Sequence, residues 1–501
     1  MKRRKFIRNV GCGAMGSATL INSLVQLGAI NGATGSNSDL ESADDYKALV
    51  CILLSGGIDS YNVLMPYDNS PGGDGGYGEY VDLRTDLSLA HSDILPLTAA
   101  NITGHGSFAS PYGSFAVHPG MSEVKQLFET NKLAFISNIG TLVEPLANKA
   151  DYQNDMKKKP LGIYSHNDQR MQWMTSVPQS RDALGVGGRM ADLLHAQNDF
   201  QAVSMNISLD GKNRFQTGQN VVEYAISNNL SADNVGFDPI RSYGNAGVLS
   251  EIRNTAISDM VTHTYQNLLQ QTIGGLTTDA IQSFELFKEA LAKAPSLSSS
   301  FSDTNISQDL AAIAKVMSIR NELGAKRQIF FLDMGGWDMH DNLLSEQAER
   351  LPQVSRAMKE FYDATFDLGI ADKVTTFTIS DFARTTTSNG QGSDHAWGGN
   401  HMVMGGAVKG RSIYGSYARL NLDENPLNVS NRGNFIPAVS TDEFYAELAL
   451  WYGISPSDLC YVLPNLGNFY SYSAGNYPIG FMDFAGTQIC SQNHPLDCLT
   501  Y

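Results

Sequence analysis

The chain has little of what builds a membrane span, a nucleic-acid surface or a sulfur-held metal cluster. No segment beyond the N-terminus reaches the roughly 18 consecutive apolar residues a spanning helix needs, because 47 glycines and frequent polar residues break each hydrophobic run. No transmembrane span is expected in the mature chain. Basic residues are outnumbered: 35 Lys and Arg stand against 51 Asp and Glu, a formal charge of −16. Nucleic acid is not an expected partner, since phosphate backbones bind clustered Lys and Arg. Cysteine is rare, 5 in 501 residues, with no CxxC or Cys/His finger spacing and no haem or iron–sulfur pattern. A redox cofactor is thereby disfavoured. Cys51, in "ALVCILLSGG", reads as a buried thiol, and Cys490 and Cys498 enclose a short polar loop that a disulfide could close in an oxidising compartment.

One basic cluster opens the chain. Arg3-Arg4 precede Lys5-Phe6-Ile7 and a mildly apolar, glycine-rich stretch ending in small residues; this resembles a twin-arginine export signal. The resemblance implies that residues 1–35 are a signal peptide, that the twin-arginine translocase is a partner during export, and that the mature protein is periplasmic or secreted. Cys12 lies too close to the arginines for a hydrophobic region to precede it, which argues against lipidation. Cleavage near Ala33 or Gly35 removes five basic residues and no acid, taking the formal charge from −16 to −21.

Short, continuously apolar runs recur at 48–55 ("ALVCILLS"), 132–140, 328–336 and 373–382, each closed by glycine or a polar residue. They read as buried strands. Between them, "MSEVKQLFETN" and "LPQVSRAMKEFYDATFDLG" repeat apolar residues at three and four, the helical period. Buried strands alternating with helices predict a parallel-centred α/β sheet covered on both faces. Residues of about 250–325 look helical and are read as an insertion on a domain spanning 36–470; residues 471–501 read as an irregular tail.

In open α/β sheets, ligands bind beyond the carboxyl ends of the strands, and four blocks of unusual residues fall there. The first is "LLSGGIDSYNVLMPYD" with Asp59; the second "YSHNDQRMQW" with Ser165 and His166. The third is "FFLDMGGWDMHDN" with Asp338 and His340; the fourth, "TISDFARTTTSNGQGSDHAWGGNHMVMGGAVKG", carries Asp381, Arg384, Asp394, His395 and His401. In a D-x-H spacing both side chains leave an extended segment on one side and can reach one cation. Carboxylate plus imidazole suits zinc, manganese or iron, whereas calcium or magnesium would relegate the histidines to supporting roles. The blander readings are a turn or helix cap for Asp59 and Asp394, an N-cap for Ser165, a supporting or structural group for His401, and a surface salt bridge for Arg384.

Together these blocks, with "IYGSY" and "STDEFYAELALWYGI", resemble the exported bacterial family catalogued as domain of unknown function 1501. That family is similar to the alkaline-phosphatase-like superfamily of phosphatases, sulfatases and phosphoglycerate mutases. The resemblance implies a three-layer α/β/α sandwich with a mostly parallel central sheet and metal ligands on loops after strands. By motif order, Asp59 takes the place of the first-strand metal Asp, Asp338 with His340 the Asp/His pair, Asp381 the next carboxylate and His395 the late histidine. The chain departs from that pattern in its D-x-H spacing, in Phe382 after Asp381, and in lacking the sulfatase C/S-x-P-x-R motif.

The expected activity is metal-dependent hydrolysis of a phosphate or sulfate ester, on a small molecule or a glycan. Asp59, Asp338, His340, Asp381, Asp394, His395 and His401 are the candidate metal residues, and Ser165, His166 and Arg384 the candidate catalytic ones. The rival reading is a non-catalytic envelope protein of the same fold that binds a glycan or a protein partner.

Overall fold

Four of the apolar runs become the middle of one sheet. The computed structural model describes residues 45–70, 75–230, 259, 268–473 and 475–485. Residues 1–35, read above as an export signal, Cys12, Cys490, Cys498 and most of "SEIRNTAISDMVTHTYQNLLQQ" lie outside these. The strands are β1 (Lys47–Leu54), β2 (Leu64–Pro66), β3 (Leu95–Leu97), β4 (Asn101–Ile102), β5 (Phe115–Val117), β6 (Leu133–Gly140), β7 (Asn206–Ser208), β8 (Tyr224–Ala225), β9 (Arg327–Asp333), β10 (Val374–Ser380), β11 (Gly399–Gly405), β12 (Ser412–Gly415) and β13 (Val439–Ser440). The main sheet runs β4-β12-β6-β11-β10-β1-β9-β7-β8, with β13 also on β6. β1 is parallel to both β9 and β10, and β11 alone among the described strands of this sheet runs against its neighbours. β2, β5 and β3 form a small antiparallel sheet. The architecture is a mixed, mostly parallel α/β sheet with helices on both faces.

Alternation along β1 builds both faces at once, because successive side chains of a strand point to opposite sides. Ala48, Val50, Ile52 and Leu54 enter one core; Leu49, Cys51 and Leu53 enter the other. Among the described residues the helices of eight residues or more are α1 (Gly76–Arg84), α2 (Ser122–Glu129), α3 (His166–Thr175), α4 (Val186–Leu194), α5 (Leu268–Leu291), α6 (Asn305–Ser318), α7 (Leu343–Asp367) and α8 (Thr441–Tyr452). Val124 of α2, Leu310 of α6 and Val354 of α7 close the first core; Trp173 of α3, Met190 of α4 and Leu448 of α8 close the second. Burying each such aliphatic side chain contributes about 1.5–3 kcal/mol before conformational entropy is counted. Part of the stretch read as an insertion is therefore layer-forming, since α6 packs on α7 within the first core.

Local signals set the helix ends. Thr304 caps α6, and Ser440 with Glu443 forms a capping box at α8, which stops at Gly453 in the left-handed region. α7 starts at Leu343, eight residues before the periodic stretch quoted from sequence, and carries Pro352 inside it. Proline lacks the N–H a helix interior uses, so it reads as a start; here burial of Leu343, Gln347 and Leu351 holds the turns before it. Residues 475–485 form no helix or strand. They are tied down by the buried carboxylate of Glu447, which accepts the N–H groups of Ile479, Gly480 and Met482 at 2.9, 2.7 and 2.7 Å. No helix among the described residues is long and apolar enough to cross a membrane.

Candidate metal centre

The carboxyl ends of β1, β9 and β10 lie side by side, and the loops that leave them meet. Gly56 and Gly57 turn the chain sharply after β1, with φ of +119° and +82°, a region open to glycine and costly for other residues. They also leave room for the neighbouring loop: a Cβ on Gly56 would sit 2.5 Å from the Asp338 backbone nitrogen. Gly56→Ala is therefore expected to push Asp338 out of place and weaken cation binding at least tenfold, read by zinc titration. Unchanged affinity would show that the loop has slack the packing denies.

Asp338, at the exit of β9, faces three histidines. His166 Nε2 is 3.5 Å from its Oδ2, and His340 and His395 place their Nε2 atoms 3.1 and 3.4 Å from its Oδ1. His395 Nε2 also lies 3.2 Å from His166 Nε2 and 3.0 Å from His340 Nε2. His166, Asp338 and His395 present donor atoms that all lie within 4.8 Å of one another. The shortest contacts among them run from 3.2 to 3.5 Å, with His166 nearest Asp338 Oδ2 and His395 nearest Oδ1. His340 is not one of this group, although its Nε2 touches His395 and Asp338 and lies 3.4 Å from Arg384 Nη1.

Each histidine is held through its far nitrogen. His395 Nδ1 is 2.8 Å from the Tyr164 carbonyl, which can only accept, so Nδ1 carries the proton and Nε2 presents a lone pair. His166 Nδ1 faces Asp381 Oδ2 at 2.8 Å, and His340 Nδ1 faces Asp394 Oδ1 at 3.2 Å. This is the carboxylate–histidine or carbonyl–histidine arrangement that fixes tautomer and ring direction at metal sites. Burial, with the Arg384 and His166 charges, holds the His395 imidazole below its ordinary pKa despite the Tyr164 contact. The ring packing adds to this: Phe382 lies 4.7 Å from the His166 ring centre and 4.4 Å from that of His395.

The carboxylates are charged and braced. Partial burial pushes Asp338 up, but the hydrogen bond and charge of Arg384, with His166 and His340, outweigh it and hold the carboxyl below the usual range. Asp394 is likewise raised by burial and pulled further down by Asn389, Arg432 and His340; Arg432 Nη2 lies 2.6 Å from its Oδ2. Asp381 is buried, with Oδ1 facing no hydrogen-bond partner.

The structure brings His166, Asp338, His340 and His395 together and sets Asp381 and Asp394 behind them as supports. Four other candidates take structural positions. Asp59 is sealed with Arg84 in an ion pair whose side chains are both 0% exposed, and burial pushes its carboxyl up against the pull of Arg84. His401, on β11, is buried against Trp173 at 4.8 Å between ring centres, with its Nδ1 3.4 Å from Thr378 Oγ1; it takes no part in the cluster. Arg384 is neither an open clamp nor a surface bridge. Its guanidinium is fully buried and donates to the carbonyls of Gly57, Ser393, Gly56 and Trp337 as well as to Asp338, stapling three loops. Ser165 caps α3, its hydroxyl accepting the Asp168 amide.

Sequence reading missed Tyr164, Phe382, Arg432 and Arg84 as supports. Tyr164 and Phe382 adjoin recognised residues, but nothing local marks Arg432 or Arg84. The Asp59–Arg84 pair gives a direct test. Asp59→Asn or Arg84→Met alone is expected to cost about 3–5 kcal/mol in urea unfolding, and the double variant far less, because a lone buried charge is worse than none. Additive costs would mean that the pair carries no coupling.

The donor set of two imidazole nitrogens and a carboxylate oxygen fits zinc or manganese better than calcium or magnesium, which prefer all-oxygen shells. An open pocket of about 330 Å³, lined by Ser55, Gly56, His166, Asn167, Arg170, Asp338 and Asp381, leads to it. A larger open cleft of about 970 Å³, lined by residues including Glu79, Asn148, Asn421 and Ser430, contains none of the clustered histidines, so the smaller pocket is taken as the site.

A family described as "Protein of unknown function (DUF1501)" matches residues 229–436, a span that includes Asp338, His340, Asp381, Arg384, Asp394 and His395 but not His166. No curated protein matches. Among solved structures, the lipoteichoic acid synthase LtaP from Listeria monocytogenes is similar at 8% identity, over 82% of this chain and 81% of that one, with a TM-score of 0.29.

Proposed function

We propose that the protein is an exported, metal-dependent hydrolase of phosphate or sulfate esters, of alkaline-phosphatase-like kind, in which His166, Asp338 and His395 hold a divalent cation. One observation carries this reading. The two histidines aim Nε2 at each other and at the Asp338 carboxylate while their Nδ1 atoms are held by Asp381 and Tyr164, a convergence of donor atoms that a cation would satisfy. When bound, such a cation supplies a Lewis acid that polarises an ester oxygen. Arg384 keeps Asp338 ionised, Asp381 keeps the His166 proton on Nδ1, and His340 stands beside the cluster as a fourth donor or a proton carrier. The pocket admits the ester from the open end of the strands.

Export is supported by the twin-arginine start. The second reading, a glycan- or partner-binding envelope protein without turnover, is favoured by the capping role of Ser165 and the fully occupied donors of Arg384. Metal analysis of protein exported in its natural host, followed by a panel of phosphate and sulfate esters, separates the two. Stoichiometric zinc or manganese with ester turnover is the expected result. A protein exported without metal, and inert on the panel, would overturn the hydrolase reading.

A further inference from the structure

We propose that Arg170, with Asn167 beside it, forms an oxyanion subsite that receives the phosphate or sulfate group next to the cation ligands. This rests on the hydrolase reading above and names the group that would recognise its substrate. Arg170 lies one helical turn after His166 on α3, so both side chains share a face, and both line the pocket with Asp338 and Asp381. It is the one cationic side chain of that lining. Among the described residues Arg170 makes no hydrogen bond or ion pair, although the charges of Asp210 and Asp333 lie within its electrostatic reach. Arg384, the other arginine of the site, has its donors occupied by four carbonyls and Asp338.

A guanidinium with open donors beside a cation site matches a tetrahedral oxyanion, which it can hold through two parallel hydrogen bonds. Asn167 contributes its amide and stands in the first turn of α3, where backbone N–H groups and the helix dipole favour negative charge. Without the cation, the Asp338 and Asp381 carboxylates oppose an anion, and one arginine does not offset both. Anion binding is therefore conditional on the cation, and by linkage the anion tightens the cation in return.

Calorimetric titration of inorganic phosphate into the zinc-loaded protein tests this without relying on turnover. The wild type is expected to bind phosphate only when loaded, and Arg170→Ala to bind it at least tenfold more weakly with the zinc content unchanged. Arg170→Lys, which keeps the charge and loses the fork, is expected to fall between. Arg170→Ala should also lower kcat/KM on a phosphate or sulfate ester and leave a neutral acetate ester unaffected. Equal phosphate affinity in zinc-loaded wild type and Arg170→Ala would overturn the subsite while leaving the hydrolase reading in place. A zinc-loaded wild type that binds neither phosphate nor sulfate would overturn the subsite, and a wild type that takes up neither zinc nor manganese would overturn both.

Discussion

The Asp338→Ala/His395→Ala protein is expected to purify without metal under conditions in which the wild type retains it, and to show no ester turnover. In the proposed site each residue supplies a donor atom directly, so affinity for zinc should fall by more than the roughly 10–100-fold that follows loss of a supporting residue. The supporting residues make the test graded. Asp381→Asn, which weakens the hold on His166 Nδ1, and Asp394→Asn, which does the same for His340, are expected to lose less than the direct ligands. His340→Ala should lie between if its Nε2 is the fourth donor. The Asp338 and His395 side chains are 48% and 24% exposed, so their removal should leave thermal unfolding close to that of the metal-free wild type. A double variant that keeps stoichiometric zinc would move the cation elsewhere and leave the converging imidazoles without a role.

How much of this was legible depends on whether the signal was local. The strands at 48–55, 132–140, 328–336 and 373–382 announced themselves because burial on both faces demands unbroken apolar runs, and β1, β6, β9 and β10 lie within a residue or a few of those bounds. β11 gave no such run. It is buried throughout yet carries Asn400 and His401, whose polar atoms are matched by Ser60 and Thr378, partners far away in sequence or on another strand. The D-x-H pair at Asp338 and His340 was visible from its spacing alone, and the two side chains lie 3.1 Å apart. Which distant residues join them was not, because His166 arrives on a helix start and Arg384 through a short bridge with His395. For the same reason Asp59 was read by its position after β1, although its ion-pair partner, Arg84, comes from the end of α1. Motif order places residues near a site; only tertiary pairing says which face the cation and which are neutralised before reaching it.

His401 gives the largest expected effect on stability. Burial alone lowers its pKa from 6.5 to about 3, so the folded protein holds a neutral imidazole against Trp173 under conditions in which the unfolded chain is protonated. The sign follows from proton counts. Above about pH 6.5 neither state carries the proton and the full stability is present; as pH falls toward 3 the unfolded state alone takes it up, and stability drops. At about 1.4 kcal/mol per pH unit, the loss approaches about 5 kcal/mol near pH 3. His118, lowered to about 4 by burial, adds in the same direction over a shorter range. His401→Phe keeps a ring against Trp173 and cannot be protonated, so it should unfold much like the wild type at pH 7 and resist acid better below pH 6. The measurement is the difference in urea-unfolding free energy between the two proteins across pH 7 to 4, which cancels the contribution of carboxylates common to both. A difference that stays flat would mean that the imidazole is already charged in the folded state and that Thr378 or another group accepts its proton.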